Sequence, residues 1–220
     1  MPLIDRSVKQ HADPAPDTEA RIREAALRLF ATQGYAATGI RDVARDAGVT
    51  TAALYHYMGG KQDLLLRIMR DAMHEMLQGA REAMKTAGSP AKELAGLARA
   101  HVIFNGRNLL DAYVGDTEIR SLDDANRARI VKLRDEYEAL WKDVISRGVQ
   151  CGDFQIHDQK LFRLAVIQMV NGVAYWYRPT GERTLPAIAD QFAAFALAMA
   201  GCGEGEGLRA PGTATRTAKT

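Results

Sequence analysis

The sequence predicts an all-α protein. Apolar residues recur at three- and four-residue spacing over most of its length, and no run alternates with period two for long enough to make a strand. Glycines and Ser, Thr or Asp caps punctuate that pattern where helices would stop and start. Of the 220 residues, 47% are hydrophobic and 25% charged, a mixture that can bury a core without disulfide or metal staples.

The first helix is expected to start at Thr18 as N-cap, with Arg21 where a capping-box acid would stand. It turns Ile22, Ala26, Leu29 and Phe30 inward and stops at Gly34. A short second helix follows a Thr38 cap, buries Ile40, Val43 and Ala44, and ends at Ala47-Gly48. Thr50 or Thr51 caps a third, TAALYHY, which Gly59-Gly60 breaks. From Lys61 a long fourth helix runs to about Lys85. Ser89-Pro90 opens a fifth, to about Asn105, and a sixth covers about Asn108 to Ile119. The seventh starts near Asp123, carries the stripe Ile130, Leu133, Tyr137, Leu140, Trp141 and Val144, and stops at Gly148 or Gly152. An eighth from Asp158 to about Trp176 and a ninth from Thr184 to Met199 complete a set of about nine helices. Residues 1–17, with three of the seven prolines, and the Gly/Ala/Thr-rich residues 201–220 read as disordered arms.

The 29 basic and 27 acidic residues give a net charge of +2, which permits nucleic-acid binding without announcing it. Residues 1–70 hold ten basic and eight acidic side chains, whereas 71–200 hold sixteen and seventeen, so the slight excess lies toward the ends. Two isolated cysteines, Cys151 and Cys202, make neither a disulfide framework nor a zinc site, and fit a reducing cytoplasm. No stretch of eighteen apolar residues and no signal-peptide order is present, so neither membrane insertion nor secretion is expected.

Residues 38–61, TGIRDVARDAGVTTAALYHYMGGK, carry the function. Two short helices joined by Ala47-Gly48-Val49 form a helix-turn-helix, with glycine at the sharp turn and Ala44 and Val49 small enough for a close crossing. The second of them opens with Thr50, Thr51, Ala52 and Ala53, small residues that let a helix N-terminus approach base edges in a major groove. Helical hairpins of this kind also occur in protein cores, so the hairpin alone leaves DNA binding open.

The frame around it narrows the choice. The residues Ala25-Ala26-x-x-Leu29-Phe30, Gly34-Tyr35, Ala37 through Ala44, Ala47-Gly48-Val49, Leu54-Tyr55-His56-Tyr57 and Lys61-x-Asp63-Leu64-Leu65 resemble the DNA-binding domain of the TetR family of transcriptional regulators nearly position for position. Met58 stands where that family usually has an aromatic, and Gly60 where it usually has serine. The resemblance implies a DNA-binding domain over 18–64, a ligand-binding and dimerisation domain over 65–200, and a ligand-controlled repressor on a palindromic operator. It implies that Thr38 caps the second helix and helps clamp a phosphate, and that Lys61 adds a cation at the N-terminus of the fourth. Tyr55 and His56 would touch backbone and bases, and Arg41 would reach either; Thr50, Thr51 and Ala52 would enter the groove. Asp42, Arg45 and Asp63 are expected as surface or dipole-related charges.

The eighth helix is apolar almost all round and the ninth carries Leu185, Ile188, Phe192, Phe195 and Met199 on one stripe beside many alanines, so a homodimer through these two helices is expected. The candidate effector pocket is His101, Phe104, Asn105, Tyr137, Trp141, Gln168, Met169, Asn171, Tyr175 and Trp176, each of which could equally serve the core. Tyr137-x-x-x-Trp141, Gly148-x-x-x-Gly152-x-Phe154 and Gly172-x-x-x-Trp176-Tyr177-Arg178-Pro179-x-Gly181 resemble TetR-family repressors of lipid and sterol catabolism, some of which respond to acyl-CoA thioesters. That resemblance makes acyl-CoA the specific effector candidate, with Arg134, Arg163 and Arg178 available for its phosphates. No metal-ligand spacing, phosphate loop or activated nucleophile is present, so neither an enzyme nor a bound cofactor is expected; Cys151 reads as a loop thiol. The alternatives are a helical protein-interaction adaptor without DNA binding and, ranked last, a helical-bundle enzyme.

Overall fold

A computed structural model describes residues 18–85 and 87–202; the expected arm at 1–17 and the tail beyond Cys202 lie outside the described residues. Among the described residues every regular element is helical, with nine helices of about two turns or more and one of a single turn. The chain divides into two compact units after Leu65.

In the first unit α1 (Thr18–Gln33), α2 (Ile40–Asp46) and α3 (Thr51–Met58) close over Ile22, Ala26, Phe30, Val43, Ala44 and Leu54. α1 includes Thr18, which is therefore helical and not the expected N-cap. It ends where Gly34 takes a φ of 83°, which glycine adopts at little cost. The cap of α2 differs from expectation. Gly39 holds that position, its N–H donating to Asp42 Oδ2 at 3.1 Å, while Thr38 is buried and its hydroxyl donates to the Gly34 carbonyl at 2.9 Å. Because glycine brings no capping side chain, the acid at the third helical position closes the turn, and Thr38 secures the preceding loop instead. Asp42 is therefore a cap residue, with Arg45 and the Gly39 N–H holding its carboxyl below the usual range. Thr50 caps α3, accepting from the Ala53 N–H at 3.1 Å.

α4 (Lys61–Lys85) contributes to both units. In the second, α5 (Pro90–Arg107) is the hub on which α7 (Asp124–Cys151), α8 (Gln159–Asn171) and α10 (Leu185–Met199) pack, with α6 (Leu109–Thr117) and a short 3-10 turn at Ile119–Ser121 between α5 and α7. Close approach is built on two glycines. A Cβ on Gly106 would fall 2.2 Å from a Leu185 methyl, and one on Gly148 would fall 2.1 Å from the Phe154 ring. Gly148 is thus buried within α7, which stops at Gly152 with a φ of 86°.

The continuous eighth helix expected over 158–176 is a correction. It divides at Gly172 into α8 and the single turn α9 (Val173–Trp176). A Cβ at Gly172 would stand 3.3 Å from the Met169 carbonyl oxygen, so the glycine permits the tightening that ends α8. Nor is α8 covered all round within the chain: Phe162, Val166 and Val170 are buried while Leu161 is 64% exposed.

Candidate nucleic-acid interface and ligand cavity

The α2–α3 turn is held from α1. Gly48 adopts a φ of 64°, and the Val49 N–H donates to the Ala44 carbonyl at 2.9 Å. The Arg21 guanidinium donates to the carbonyls of Gly48, at 3.0 Å, and of Ala47. A cation on the carbonyls just past the end of α2 both satisfies them and complements the helix dipole. Beyond the turn, Leu54 and Met58 anchor α3, leaving Thr50, Ala52, Tyr55, His56 and Tyr57 exposed and Thr51 half-buried. A slim first turn followed by aromatics suits a helix that enters a groove end-on. Arg41 is exposed on α2 and enters no ion pair among the described residues, whereas Arg45 pairs with Asp42. Lys61 opens α4 with its Nζ 4.0 Å from the centre of the Tyr35 ring, a cation–π contact that holds the amine near the helix N-terminus.

The second unit holds a partly open cavity of about 170 Å³. Its apolar wall comes from Met69, Met73 and Met76 of α4, Phe104 of α5, Ile130 of α7 and Ile167 of α8. Across it runs a buried hydrogen-bonded chain. His101 Nε2 lies 2.7 Å from Asn171 Oδ1, and Tyr137 Oη lies 3.0 Å from His101 Nδ1. An amide oxygen can only accept, so Nε2 carries the proton, Nδ1 accepts, and Tyr137 donates. Burial pulls the imidazole down to about 4, against the opposing bond to Asn171, and burial also raises the Tyr137 phenol well above its ordinary value. Asn105 Nδ2 donates to the Val170 carbonyl at 3.1 Å.

Charged groups also line the cavity. Arg134 donates to the Gly115 carbonyl at 2.7 Å; burial lowers its affinity for its proton, and the Asp116 and Glu138 carboxylates oppose that. Tyr175 donates to Asp116, and its phenol is pushed up to about 12 by desolvation first and by that carboxylate second. Glu138 also pairs with Arg163 at 3.4 Å. A more open groove of about 340 Å³ between α4 and α5 shares Met76, His101, Phe104 and Tyr137 with the cavity.

Among the described residues no group of His, Cys, Asp or Glu could hold a metal ion, and no helix is long and apolar enough to cross a membrane. The family model for bacterial regulatory proteins of the tetR family matches residues 22–68, and that for the tetracyclin repressor-like C-terminal domain matches residues 87–200, more than half of the chain. The chain belongs to the TetR family. Its relatives include the HTH-type transcriptional repressor KstR2 of Mycolicibacterium smegmatis, 26% identical over 192 residues that span 83% of this chain and 94% of the relative. A regulatory protein of the tetR family from Rhodococcus RHA1 superposes with a TM-score of 0.79 at 28% identity, covering 86% of this chain and all of that one. AibR, solved in complex with isovaleryl coenzyme A and operator DNA, shares the fold with a TM-score of 0.73 at 24% identity, over 81% of this chain and 97% of its own.

Of the ten residues expected to line an effector pocket, the structure brings six together around this cavity: His101, Phe104, Asn105, Tyr137, Asn171 and Tyr175. The other four lie elsewhere. Trp141 is fully buried in the core, its ring centre 6.5 Å from that of His101, and Met169 packs against the same core. Gln168 is exposed because Val166 and Val170 take the inward face of α8. Trp176, carried by the re-phased turn α9, is 50% exposed and stacks on Phe192 at 6.1 Å. Sequence reasoning missed the methionine wall of α4, although Met69, Met73 and Met76 at i, i+4 and i+7 were a readable signal. Asp111, Asp116 and Glu138 carried no local signal, and neither did the clamp made by Arg21.

Proposed function

We propose that this regulator is a homodimeric repressor that holds a palindromic operator when empty and releases it when a small hydrophobic effector fills the second unit. One observation carries the reading: α4, which begins directly after the exposed α3, supplies Met69, Met73 and Met76 to the apolar wall of the cavity. A ligand that prefers one position of α4 would shift the spacing of the two recognition helices in the dimer. The DNA face would consist of Arg41, Thr50, Thr51, Ala52, Tyr55, His56 and Lys61, with Thr38 supporting the loop through its bond to Gly34. Such a protein works in the cytoplasm, beside the DNA it reads.

The dimer reading rests on α8, α9 and α10, where Leu161, Leu164, Trp176, Phe195 and Met199 are all exposed in the single chain. The effector reading rests on the cavity and on the neighbours. AibR is named with isovaleryl coenzyme A, which favours an acyl-CoA as the specific form here. Arg134 and Arg163 are engaged with Gly115 and Glu138, so the acyl part rather than a basic phosphate pocket supports that choice. Thr51→Glu tests the operator function. An acid at the first position of α3 suits the helix dipole, so the dimer survives, but it sets an anion against the DNA. Operator binding followed by fluorescence anisotropy should be lost while size-exclusion mass is unchanged; unimpaired binding would refute the reading. Titrating the wild-type complex with short, long-chain and sterol-derived acyl-CoAs tests the effector, and release by an uncharged hydrophobe but by none of the thioesters would reject acyl-CoA.

A further inference from the structure

We infer that the part of the effector that enters the cavity is a compact apolar body bearing an uncharged carbonyl, and that the cavity discriminates against the corresponding carboxylate. The inference rests on the ligand-responsive reading and sharpens it to a chemical class. About 170 Å³ is close to the size of an apolar cavity that accommodates a six-carbon ring, so the inner chamber takes a ring or a short branched group rather than a long chain.

The hydrogen-bonding character of the wall follows from the partners already spoken for. Tyr137 donates to His101, and His101 donates to Asn171 Oδ1, so the chain of bonds is polarised toward the Asn171 amide. Neither proton of the Asn171 Nδ2 group has a protein acceptor among the described residues, which leaves that cavity-lining amide as a donor for a carbonyl oxygen. Asn105 is oriented by its bond to the Val170 carbonyl, which requires the NH2 end there and leaves its Oδ1 as an acceptor. A neutral carbonyl can use the Asn171 donor and keep its carbon framework against the methionines. A carboxylate would bring its charge to a wall that also holds Asp111, Asp116 and Glu138, with Arg134 the one cation among the described residues lining the chamber and that cation already faced by the Asp116 and Glu138 carboxylates. His101 offers no compensating charge, because both ring nitrogens are committed and the ring is buried. Any polar remainder of the effector would continue past His101, Phe104 and Tyr137 into the α4–α5 groove, which shares those side chains.

The test uses the full-length protein, calorimetric titration, and three probes of equal ring size: cyclohexyl methyl ketone, cyclohexanecarboxylate and methylcyclohexane. The ketone should bind at least about tenfold more tightly than the carboxylate at neutral pH, the worth of one buried hydrogen bond gained and one buried charge avoided. Asn171→Leu should bring the ketone down to the affinity of the hydrocarbon. Equal or tighter binding of the carboxylate overturns the inference, and so does failure of all three to bind. Wild-type discrimination needs no variant, so it stands as a test even where Asn171→Leu fails to fold. Operator binding by the empty protein is measured in parallel: loss of that binding would count against the repressor, whereas a protein that holds operator and takes up the carboxylate overturns this inference alone.

Discussion

Replacing Arg21 with methionine keeps an aliphatic stem on α1 but leaves the Ala47 and Gly48 carbonyls without their donor. The expected cost is about 1–2 kcal/mol, with a lower Tm and weaker operator binding, and Arg21→Lys should recover part of both. Thermal denaturation and anisotropy check this; an unchanged Tm would mean that water serves the two carbonyls equally well. His101 acts on stability through its proton. In the folded chain its pKa is about 4, against 6.5 for the ordinary imidazole, so between these values the unfolded state binds a proton that the native state refuses. Its contribution is therefore fully present above about pH 6.5 and is lost as pH falls toward 4, with a total of about 3 kcal/mol. Denaturant unfolding across this window should show stability rising with pH, and His101→Gln should flatten the slope.

At the scale of the helix, the same substitution should have opposite signs at two glycines. Gly148→Ala sets a methyl into the Phe154 ring and should cost about 1–3 kcal/mol despite alanine's better helix propensity. Gly79→Ala on α4 meets nothing within 4 Å and should gain up to about 1 kcal/mol. Comparing the two unfolding midpoints checks both, and a stabilised Gly148→Ala would refute the packing argument. What the sequence made legible follows the same division between local and distant causes. The caps at Thr50, Ser89, Asp123, Asp158 and Thr184 were readable because cap and helix lie within one turn of chain. Thr38 misled because Asp42 captures the free N–H at Gly39, a competition between two plausible partners. Gly172 misled because apolar periodicity continues across it while the backbone does not. In the cavity the buried polar chain of His101, Tyr137 and Asn171 lay among the expected residues, since polar groups on otherwise apolar helix faces stand out. The carboxylates did not, because Asp111, Asp116 and Glu138 look like any surface acid until α6 and α7 are placed together.

For the whole molecule, the exposed apolar side chains of α8 to α10 predict its assembly. Phe195 is 44% exposed and its ring lies 5.9 Å from that of Phe192, so Phe195→Glu charges the proposed dimer face without opening the core. The variant should elute at half the mass of the wild type and lose operator affinity, because two half-sites are then no longer read together. An unchanged elution mass would place the dimer interface elsewhere. The chain's two tryptophans occupy opposite environments. Trp141 is fully buried beside His101 and Tyr137, while Trp176 lies half in solvent against Phe192. The native chain therefore carries two optical reporters without any label: a blue-emitting indole packed behind the cavity-lining His101 and Tyr137, and a red-emitting one on the proposed dimer face.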